Sequence, residues 1–124
     1  MRIAVADDDP LVLAALAALV GARRDCELVA RCTDGRQLLD ATSRLHPDAV
    51  IVDVGMPDSD VPLMQLLARI EPLPLIVAIS GHPTSVIRRR LLAAGADAVL
   101  QKAVDDPLAF VVERVTHPRP GTGP

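Results

Sequence analysis

A regular alternation between short apolar runs and longer segments of helical spacing is the strongest constraint on how this chain folds. Five short, largely apolar runs have the length of strands, and they occupy residues 3–6, 27–32, 49–52, 75–79 and 98–100. Between these runs, apolar residues recur at the spacing of a helix that buries one face. Parallel strands need a long crossover connection, which is usually a helix. The pattern therefore predicts five β/α units and a parallel sheet.

The first two predicted helices are bounded by capping and breaking residues. Asp9 is followed by Pro10, a pair that suits the cap and the first turn of a helix ending near Gly21. Asp34 suits the cap of a second helix, and Pro47 prevents its continuation. Both helices thus start directly after a predicted strand.

The remaining helices follow the same logic. A third helix is predicted over 61–70, a fourth begins at Thr84 or Ser85 and closes at Gly95, and a fifth covers 107–115. The residues of the fourth helix predicted to face inward are Val86, Ile87, Leu91 and Ala94. With helices joining nearly continuous apolar strands, the fold class is α/β, a single (βα)5 doubly wound parallel sheet with helices on both faces.

Length and composition fit one domain. The chain has 124 residues, of which 50% are hydrophobic, so it can bury a sizeable core. Phe110 is the only aromatic residue, and the core must therefore be aliphatic. We predict a domain over residues 1–116 and a Pro/Gly-rich tail or linker over 117–124.

Charge and apolar patterning exclude several functional classes. The net charge of −3 argues against direct binding of nucleic acid or of an anionic membrane, which needs a basic face. The longest apolar run, residues 11–22, is too short to span a bilayer and follows acidic residues, unlike a signal peptide. Cys26 and Cys32 are too far apart on an extended segment to form a disulfide. We expect a cytoplasmic protein with reduced cysteines.

Polar residues cluster where the predicted strands end. These residues are Asp7, Asp8 and Asp9 after the first strand, Asp53 after the third, Ser80 after the fourth and Lys102 after the fifth. In an open α/β sheet, ligands bind beyond the carboxyl ends of the strands. Acids, a hydroxyl and an ammonium group are therefore expected to meet at one edge of the sheet.

This set of groups suits phosphoryl transfer assisted by a metal ion. Clustered carboxylates repel each other unless a cation joins them, and Mg²⁺ prefers such oxygen ligands. One carboxylate can act as a nucleophile, with a lysine and a hydroxyl neutralising and orienting the transferred oxygens. Lys102 is the only lysine among 13 basic residues, and a compact ammonium suits a crowded pocket better than a guanidinium.

Taken together, these residues resemble the receiver domains of two-component response regulators. The matching pieces are Asp7-Asp8, Asp53 followed by Met56-Pro57, Asp60, Ser80 and Lys102, and the resemblance covers about residues 1–116. It implies a flavodoxin-like sheet with strand order 2-1-3-4-5. The opening residues 7–12 and Ala103 after Lys102 resemble most the NarL/FixJ-type subgroup, which usually carries a helix-turn-helix DNA-binding domain after the receiver.

The resemblance also implies roles for individual residues. Asp53 would accept the phosphoryl group, and Ser80 and Lys102 would bind it after transfer. The implied Mg²⁺ ligands are Asp7, Asp8, Asp53 and the backbone carbonyl of Gly55. The donor would be a sensor histidine kinase. The implied protein is a phosphoacceptor and not an enzyme, apart from its self-catalysed phosphorylation and dephosphorylation.

An output surface is expected around the fourth helix and the fifth strand. Its candidate residues are Arg88, Arg89, Arg90 and Val99, and it would serve a partner protein or a homodimer. Val99 stands where many receivers have an aromatic switch residue, and Asp58 and Val61 occupy a loop region where glycine is common. The sequence contains no helix-turn-helix segment. We therefore expect either part of a longer regulator or a protein that acts through protein contacts alone.

Two other functions compete with this interpretation. A degenerate receiver would bind a partner without being phosphorylated, and Val99 is compatible with it. A dehalogenase-like phosphatase would use Asp7 and Asp9 as an Asp-x-Asp pair. Its motif usually continues with Thr or Val where this chain has Leu11, and it would leave Asp53 without a role.

Overall fold

A computed structural model describes residues 1–118 of the chain. The strands are β1 (Arg2–Ala6), β2 (Glu27–Cys32), β3 (Ala49–Asp53), β4 (Leu75–Ser80) and β5 (Ala98–Gln101). The helices are α1 (Pro10–Gly21), α2 (Gly35–Leu45), α3 (Val61–Leu67), α4 (Ser85–Ala94) and α5 (Pro107–Thr116). Strands and helices alternate along the chain as predicted.

All the strands are parallel and form one sheet in the order β2-β1-β3-β4-β5. The predicted fold class and strand order are therefore confirmed. Register places Asp53 beside Ile79 and Ser80 beside Gln101, so the ends of the central strands coincide. Lys102 follows directly, and three chemically distinct side chains are thereby brought to one edge.

The core consists of two aliphatic layers, one on each face of the sheet. One layer packs against α2, α3 and α4 and includes Leu38, Met64 and Leu91. The other packs against α1 and α5 and includes Leu16 and Val111. Every residue of β3 is buried, which matches its continuous apolar sequence and its central place in the sheet.

Side-chain caps fix where the helices begin. Asp9, Asp34, Thr84 and Asp106 each accept a hydrogen bond from a backbone N–H in the first turn of α1, α2, α4 and α5. Asp60 does the same for α3. Because these caps satisfy backbone donors that a helix cannot satisfy itself, they start each helix soon after a strand ends.

The predicted third helix was too long. It ends at Leu67, whereas the sequence pattern suggested residue 70. The N–H groups of Arg69 and Ile70 bond to carbonyls three residues back, which is a tighter turn than an α-helix. Pro72 prevents the helix from resuming after this turn, because the residue before a proline is disfavoured in the helical conformation.

The predicted inward face of α4 was partly wrong. Leu91 is buried and Ala94 is half-buried, but Val86 is 46% exposed and Ile87 is 39% exposed. Ile87 lines an open groove that α4 shares with Val61 of α3. The first turn of α4 therefore meets this groove and solvent instead of the sheet.

Three further predictions concern the termini, the membrane and the cysteines. α5 ends at Thr116, and most of the predicted tail over 117–124 lies outside the described residues. No helix within residues 1–118 is long and apolar enough to cross a membrane. Both cysteines are free thiols, and Cys32 is buried.

Candidate functional site

The carboxyl ends of β1, β3 and β5 bring three charged side chains into contact. Asp7 follows β1, Asp53 is the last residue of β3, and Lys102 follows β5. The ammonium nitrogen of Lys102 lies 2.9 Å from Asp7 Oδ2 and 3.0 Å from Asp53 Oδ2. One cation therefore bridges two carboxylates at the edge of the sheet where acids and an ammonium group were predicted to meet.

Asp7 is completely buried, and its two oxygens differ. Oδ1 accepts a hydrogen bond from the backbone N–H of Asp9 at 2.8 Å. Oδ2 is close to Lys102 but accepts no hydrogen bond of normal geometry. Burial raises the pKa of Asp7, and the charge of Asp53 raises it further, against the lowering effect of the Asp9 N–H and of Lys102. The pocket thus contains a carboxylate that an additional cation would stabilise.

Asp53 is held by groups on both of its oxygens. Oδ1 accepts from the backbone N–H of Gly55 at 2.9 Å, and Oδ2 accepts from Lys102. The residue is 4% exposed, so little of it is open to solvent. A Cβ at Gly55 would lie 3.2 Å from Asp53 Oδ1, and glycine here leaves space next to the carboxylate.

Lys102 keeps its charge in this setting. Burial by itself lowers the pKa of Lys102, but the close opposite charges of Asp7 and Asp53 and the hydrogen bond to Asp53 outweigh burial, so its pKa is raised. Its side chain is 26% exposed, in contrast to the buried side chains of Asp7 and Asp53. It is a permanent cation of the site at neutral pH.

The residues fit a divalent cation. Asp7, Asp8 and Asp53 each offer a carboxylate oxygen, and these oxygens lie within 4.8 Å of one another. The cluster holds three carboxylates, of which Lys102 contacts two, and a buried oxygen of Asp7 lacks a hydrogen bond. Hard oxygen donors with an exposed side, provided here by Asp8, are what Mg²⁺ uses when it retains several waters.

Ser80 lies at the same edge but does not join the charged cluster. It is 7% exposed, and its Oγ accepts from the backbone N–H of His82 at 3.3 Å. The backbone N–H of Lys102 donates to the carbonyl of Ser80 at 2.8 Å, which ties the two strand ends together. The Ser80 hydroxyl is therefore adjacent to the site and available for a different partner.

The side chain of Asp9 belongs to helix capping. Its Oδ1 accepts from the N–H of Leu11 at 2.9 Å, and the residue is exposed. Asp7 and Asp9 thus have different partners, and the side chain of Asp9 caps α1 while that of Asp7 contacts Lys102.

The predicted output residues lie on another part of the surface, with one difference. Arg89 and Arg90 are exposed on α4, and Arg88 donates from its guanidinium to the backbone carbonyl of Val99. The Val99 side chain is 2% exposed and packs in the core, so it is not part of a surface. The Val99 side chain is covered by α4, and only the backbone carbonyl of Val99 contacts Arg88.

Sequence reasoning assigned no role to two buried residues beside the site. Ser59 is fully buried with its hydroxyl bound to the carbonyl of Met56, and buried Gly35 at the start of α2 contacts the backbone of Asp58. A serine in a polar loop and a glycine after a capping aspartate look ordinary in one sequence. Only their burial distinguishes them.

The chain is similar to a known family and to individual curated proteins. A family model described as the response regulator receiver domain matches residues 3–110. A protein-glutamate methylesterase/protein-glutamine glutaminase of Methanospirillum hungatei is 31% identical over 113 residues, covering 86% of this chain and 32% of the relative. The DNA-binding transcriptional activator EvgA of Escherichia coli is 27% identical over 103 residues, covering 82% of this chain and 50% of the activator. The chain thus spans a third to a half of these curated relatives.

Solved structures share the fold. The response regulator domain of Thermotoga maritima CheB has a TM-score of 0.76 at 21% identity, with 94% of this chain and 89% of that chain covered. The receiver domain of the putative response regulator NarL from Mycobacterium tuberculosis has a TM-score of 0.72 at 27% identity, with 93% and 92% covered. Because the chain is similar to both a CheB and a NarL receiver domain, its assignment to the NarL/FixJ-type subgroup stays a prediction.

Proposed function

The chain belongs to the family of response regulator receiver domains, and on that premise we propose that Asp53 is the phosphoacceptor of a two-component signalling protein. The observation that carries this proposal is the contact of one ammonium group, Lys102, with both Asp7 and Asp53 at the carboxyl edge of the sheet. The buried carboxylate of Asp53 lies beside the exposed Asp8 and the partly exposed Lys102, an arrangement that suits transfer of a small anionic group.

The chemical step is a displacement at phosphorus. A carboxylate oxygen of Asp53 attacks the phosphorus atom of the donor and forms a new P–O bond. The bond between phosphorus and the leaving group breaks, and the leaving group retains the electron pair; for a sensor histidine kinase it is an imidazole nitrogen. Asp53 becomes an acyl phosphate, and no oxidation or reduction takes place.

The protein's own groups orient this step. Lys102 now binds Asp53 Oδ2 and, after transfer, its ammonium group pairs with a phosphoryl oxygen. The proposed Mg²⁺ ligands are Asp7, Asp8, Asp53 and the Gly55 carbonyl, and the bound ion would supply charge neutralisation of the transferred oxygens. The N–H of Gly55 keeps the Asp53 carboxylate aligned.

Phosphorylation would bias a switch between two conformations. We assign the Ser80 hydroxyl, which has only a 3.3 Å contact with the His82 N–H, as the group that moves to the phosphoryl oxygens. His82 lies on the segment that leads into α4, so the change would reach the surface bearing Arg88, Arg89 and Arg90. That surface would contact a partner protein or a second copy of the chain.

We also propose a domain organisation and a controlled activity for the signalling protein. Residues 1–116 would form the receiver and 117–124 a linker. Relatives include a methylesterase and a DNA-binding activator, so the controlled activity would be either an enzymatic or a DNA-binding domain, attached or in a partner. The receiver itself would not bind nucleic acid.

The test is phosphorylation by a small donor. Incubation with acetyl phosphate and Mg²⁺ is expected to add one phosphoryl group, detected by intact-mass spectrometry, and Asp53→Asn should abolish the addition. Asp106→Asn is the matched control, because asparagine caps α5 as well as aspartate does. Labelling that persists in Asp53→Asn would refute the phosphoacceptor. If the unaltered chain is not labelled and a partner binds it equally well with and without the phosphoryl donor, the degenerate receiver is supported instead. Release of phosphate from small esters would support the dehalogenase-like phosphatase.

A further inference from the structure

The β3–α3 loop, residues 54–60, is anchored by a fully buried hydroxyl. Ser59 is completely buried, and its Oγ donates to the carbonyl of Met56 at 2.6 Å. That carbonyl belongs to the peptide group directly after the one that contains the Gly55 carbonyl. A buried hydrogen bond of this length restrains the backbone where it passes the phosphoacceptor.

Gly35, at the start of α2, packs closely against the same loop. A Cβ built at Gly35 would lie 2.0 Å from the carbonyl oxygen of Asp58 and 2.9 Å from its carbonyl carbon. These are backbone atoms, which cannot rotate away as a side chain can. Asp58 has a φ of 59°, a left-handed conformation that is costly for a residue with a side chain. The start of α2 therefore determines how closely the loop can approach.

Asp53 holds the beginning of the loop. Its Oδ1 accepts from the N–H of Gly55 at 2.9 Å, and its backbone carbonyl accepts from the N–H of Met56 at 3.4 Å. The Met56 side chain is buried in the core. Because a peptide group is planar, fixing the N–H of Met56 also fixes the direction of the Gly55 carbonyl.

We propose that Ser59 and Gly35 are positioning residues for the metal site, because together they set the direction of the Gly55 backbone carbonyl. The inference rests on the proposed function, in which that carbonyl is a Mg²⁺ ligand. Without the Ser59 hydroxyl, the Met56 carbonyl loses this hydrogen bond, and the adjacent peptide group is restrained only by the long 3.4 Å contact from the Met56 N–H to the Asp53 carbonyl. The site then loses the alignment of a ligand while the fold persists.

Thr42 provides a matched control. It is also completely buried, and its hydroxyl also donates to a backbone carbonyl at 2.6 Å, but it lies within α2 and binds Leu38. Ser59→Ala and Thr42→Val each remove one such hydroxyl and are expected to lower the melting temperature comparably. Only the first is expected to affect the metal site.

The experiment is calorimetric titration of the full chain with Mg²⁺, with folding of each variant checked by circular dichroism. Ser59→Ala is expected to weaken Mg²⁺ binding on the order of tenfold, and Thr42→Val should leave it within about twofold. Ser59→Cys retains a weak donor and should give an intermediate affinity, and it decides the question if Ser59→Ala does not fold. At saturating Mg²⁺, the rate of labelling by acetyl phosphate should recover in the Ser59 variants.

Each outcome separates the inference from the function on which it rests. If the unaltered chain binds Mg²⁺ and Ser59→Ala binds it equally well, the positioning role is refuted and the phosphoacceptor proposal stands. Equal weakening in Ser59→Ala and Thr42→Val would also refute it, since stability alone would then explain the effect. If the unaltered chain binds no Mg²⁺, the metal assignment itself fails, and the positioning role with it.

Discussion

Asp7 shows how a single residue of the site is held in an unfavourable environment. Its carboxylate is buried beside Asp53, and burial and like charge raise its pKa. A raised pKa means that the ionised form is less favourable in the folded chain than in the unfolded chain. The associated stability is present below the ordinary pKa of 3.8 and is lost as the pH rises through the raised value. At neutral pH, the charge of Asp7 therefore opposes folding.

Asp7→Asn is accordingly expected to stabilise the protein at pH 7 when divalent cations are absent. The gain in the free energy of unfolding should be about 0.5–2 kcal/mol, and it should narrow as the pH falls and Asp7 becomes protonated. Asparagine keeps an oxygen to accept the N–H of Asp9. Urea unfolding at several pH values, with and without Mg²⁺, measures the effect. Mg²⁺ should stabilise the unaltered chain and reduce the difference.

The control is Asp40→Asn on the exposed face of α2, where the carboxylate pairs with Arg44 at 3.1 Å. An exposed pair of this kind contributes little, and its removal should change the free energy of unfolding by no more than about 0.5 kcal/mol. Equal stabilisation by both substitutions would indicate a general effect of net charge and would contradict the role of burial at Asp7.

At the scale of elements, the contact between α3 and α4 depends on Gly95. This residue ends α4 with a φ of 126°, and a Cβ there would lie 2.6 Å from the Cβ of Ala68 at the end of α3. Both the backbone conformation and the close approach require glycine. Gly21, which ends α1, has no atom within 4 Å of its virtual Cβ and no such constraint.

The two glycines should therefore respond in opposite directions to alanine. Gly95→Ala is expected to lower the free energy of unfolding by about 1–3 kcal/mol because of backbone strain and the clash with Ala68. Gly21→Ala should raise it by up to about 1 kcal/mol, since alanine favours the helix and restricts the unfolded chain. Denaturant unfolding of both variants checks the pair. A stabilised Gly95→Ala would contradict the constraint.

At the opposite, amino ends of β3 and β5, aspartate side chains accept hydrogen bonds from the backbone of a neighbouring strand. Asp48 precedes β3 and accepts from the N–H of Arg2, and Asp97 precedes β5 and accepts from the N–H of Ile76, each at 2.7 Å. Each aspartate thus links the start of its own strand to a neighbouring strand. Asp53 and Lys102 each lie five residues further on, and the same register brings both to the opposite edge.

At the scale of the whole molecule, the buried core of the described residues begins at Ile3 and ends at Val111. A chain shortened to residues 1–118 is therefore expected to unfold within about 2 °C of the full chain. A chain shortened to residues 1–106 lacks Leu108 and Val111, and it should be destabilised by more than about 3 kcal/mol or fail to fold. Thermal unfolding followed by circular dichroism tests both. A large decrease in the melting temperature of the chain shortened to residues 1–118 would refute the domain boundary predicted at residue 116.

Local signals in the sequence were enough to predict the alternation of strands and helices and the α/β class, whereas the strand order was predicted from the family resemblance. Strands, caps and breakers are local, because they depend on neighbouring residues, and Asp9, Asp34 and Asp106 cap helices as expected. Apart from the end of α3, the errors occurred where a segment meets a distant one. The first turn of α4 faces a groove shared with α3, and the Val99 side chain is covered by the core. Periodicity cannot indicate which neighbour a helix face meets.

The sequence by itself determined which groups stand at the strand ends, since a parallel sheet brings those ends to one edge. Only the tertiary structure decided that Lys102 contacts Asp53, a residue 49 positions away, and Asp7 together. It alone also decided that Ser59 and Gly35 fix the loop beside the site. The physical reason is that burial and contact distances arise from the packing of elements that are far apart in the chain, which no local pattern encodes.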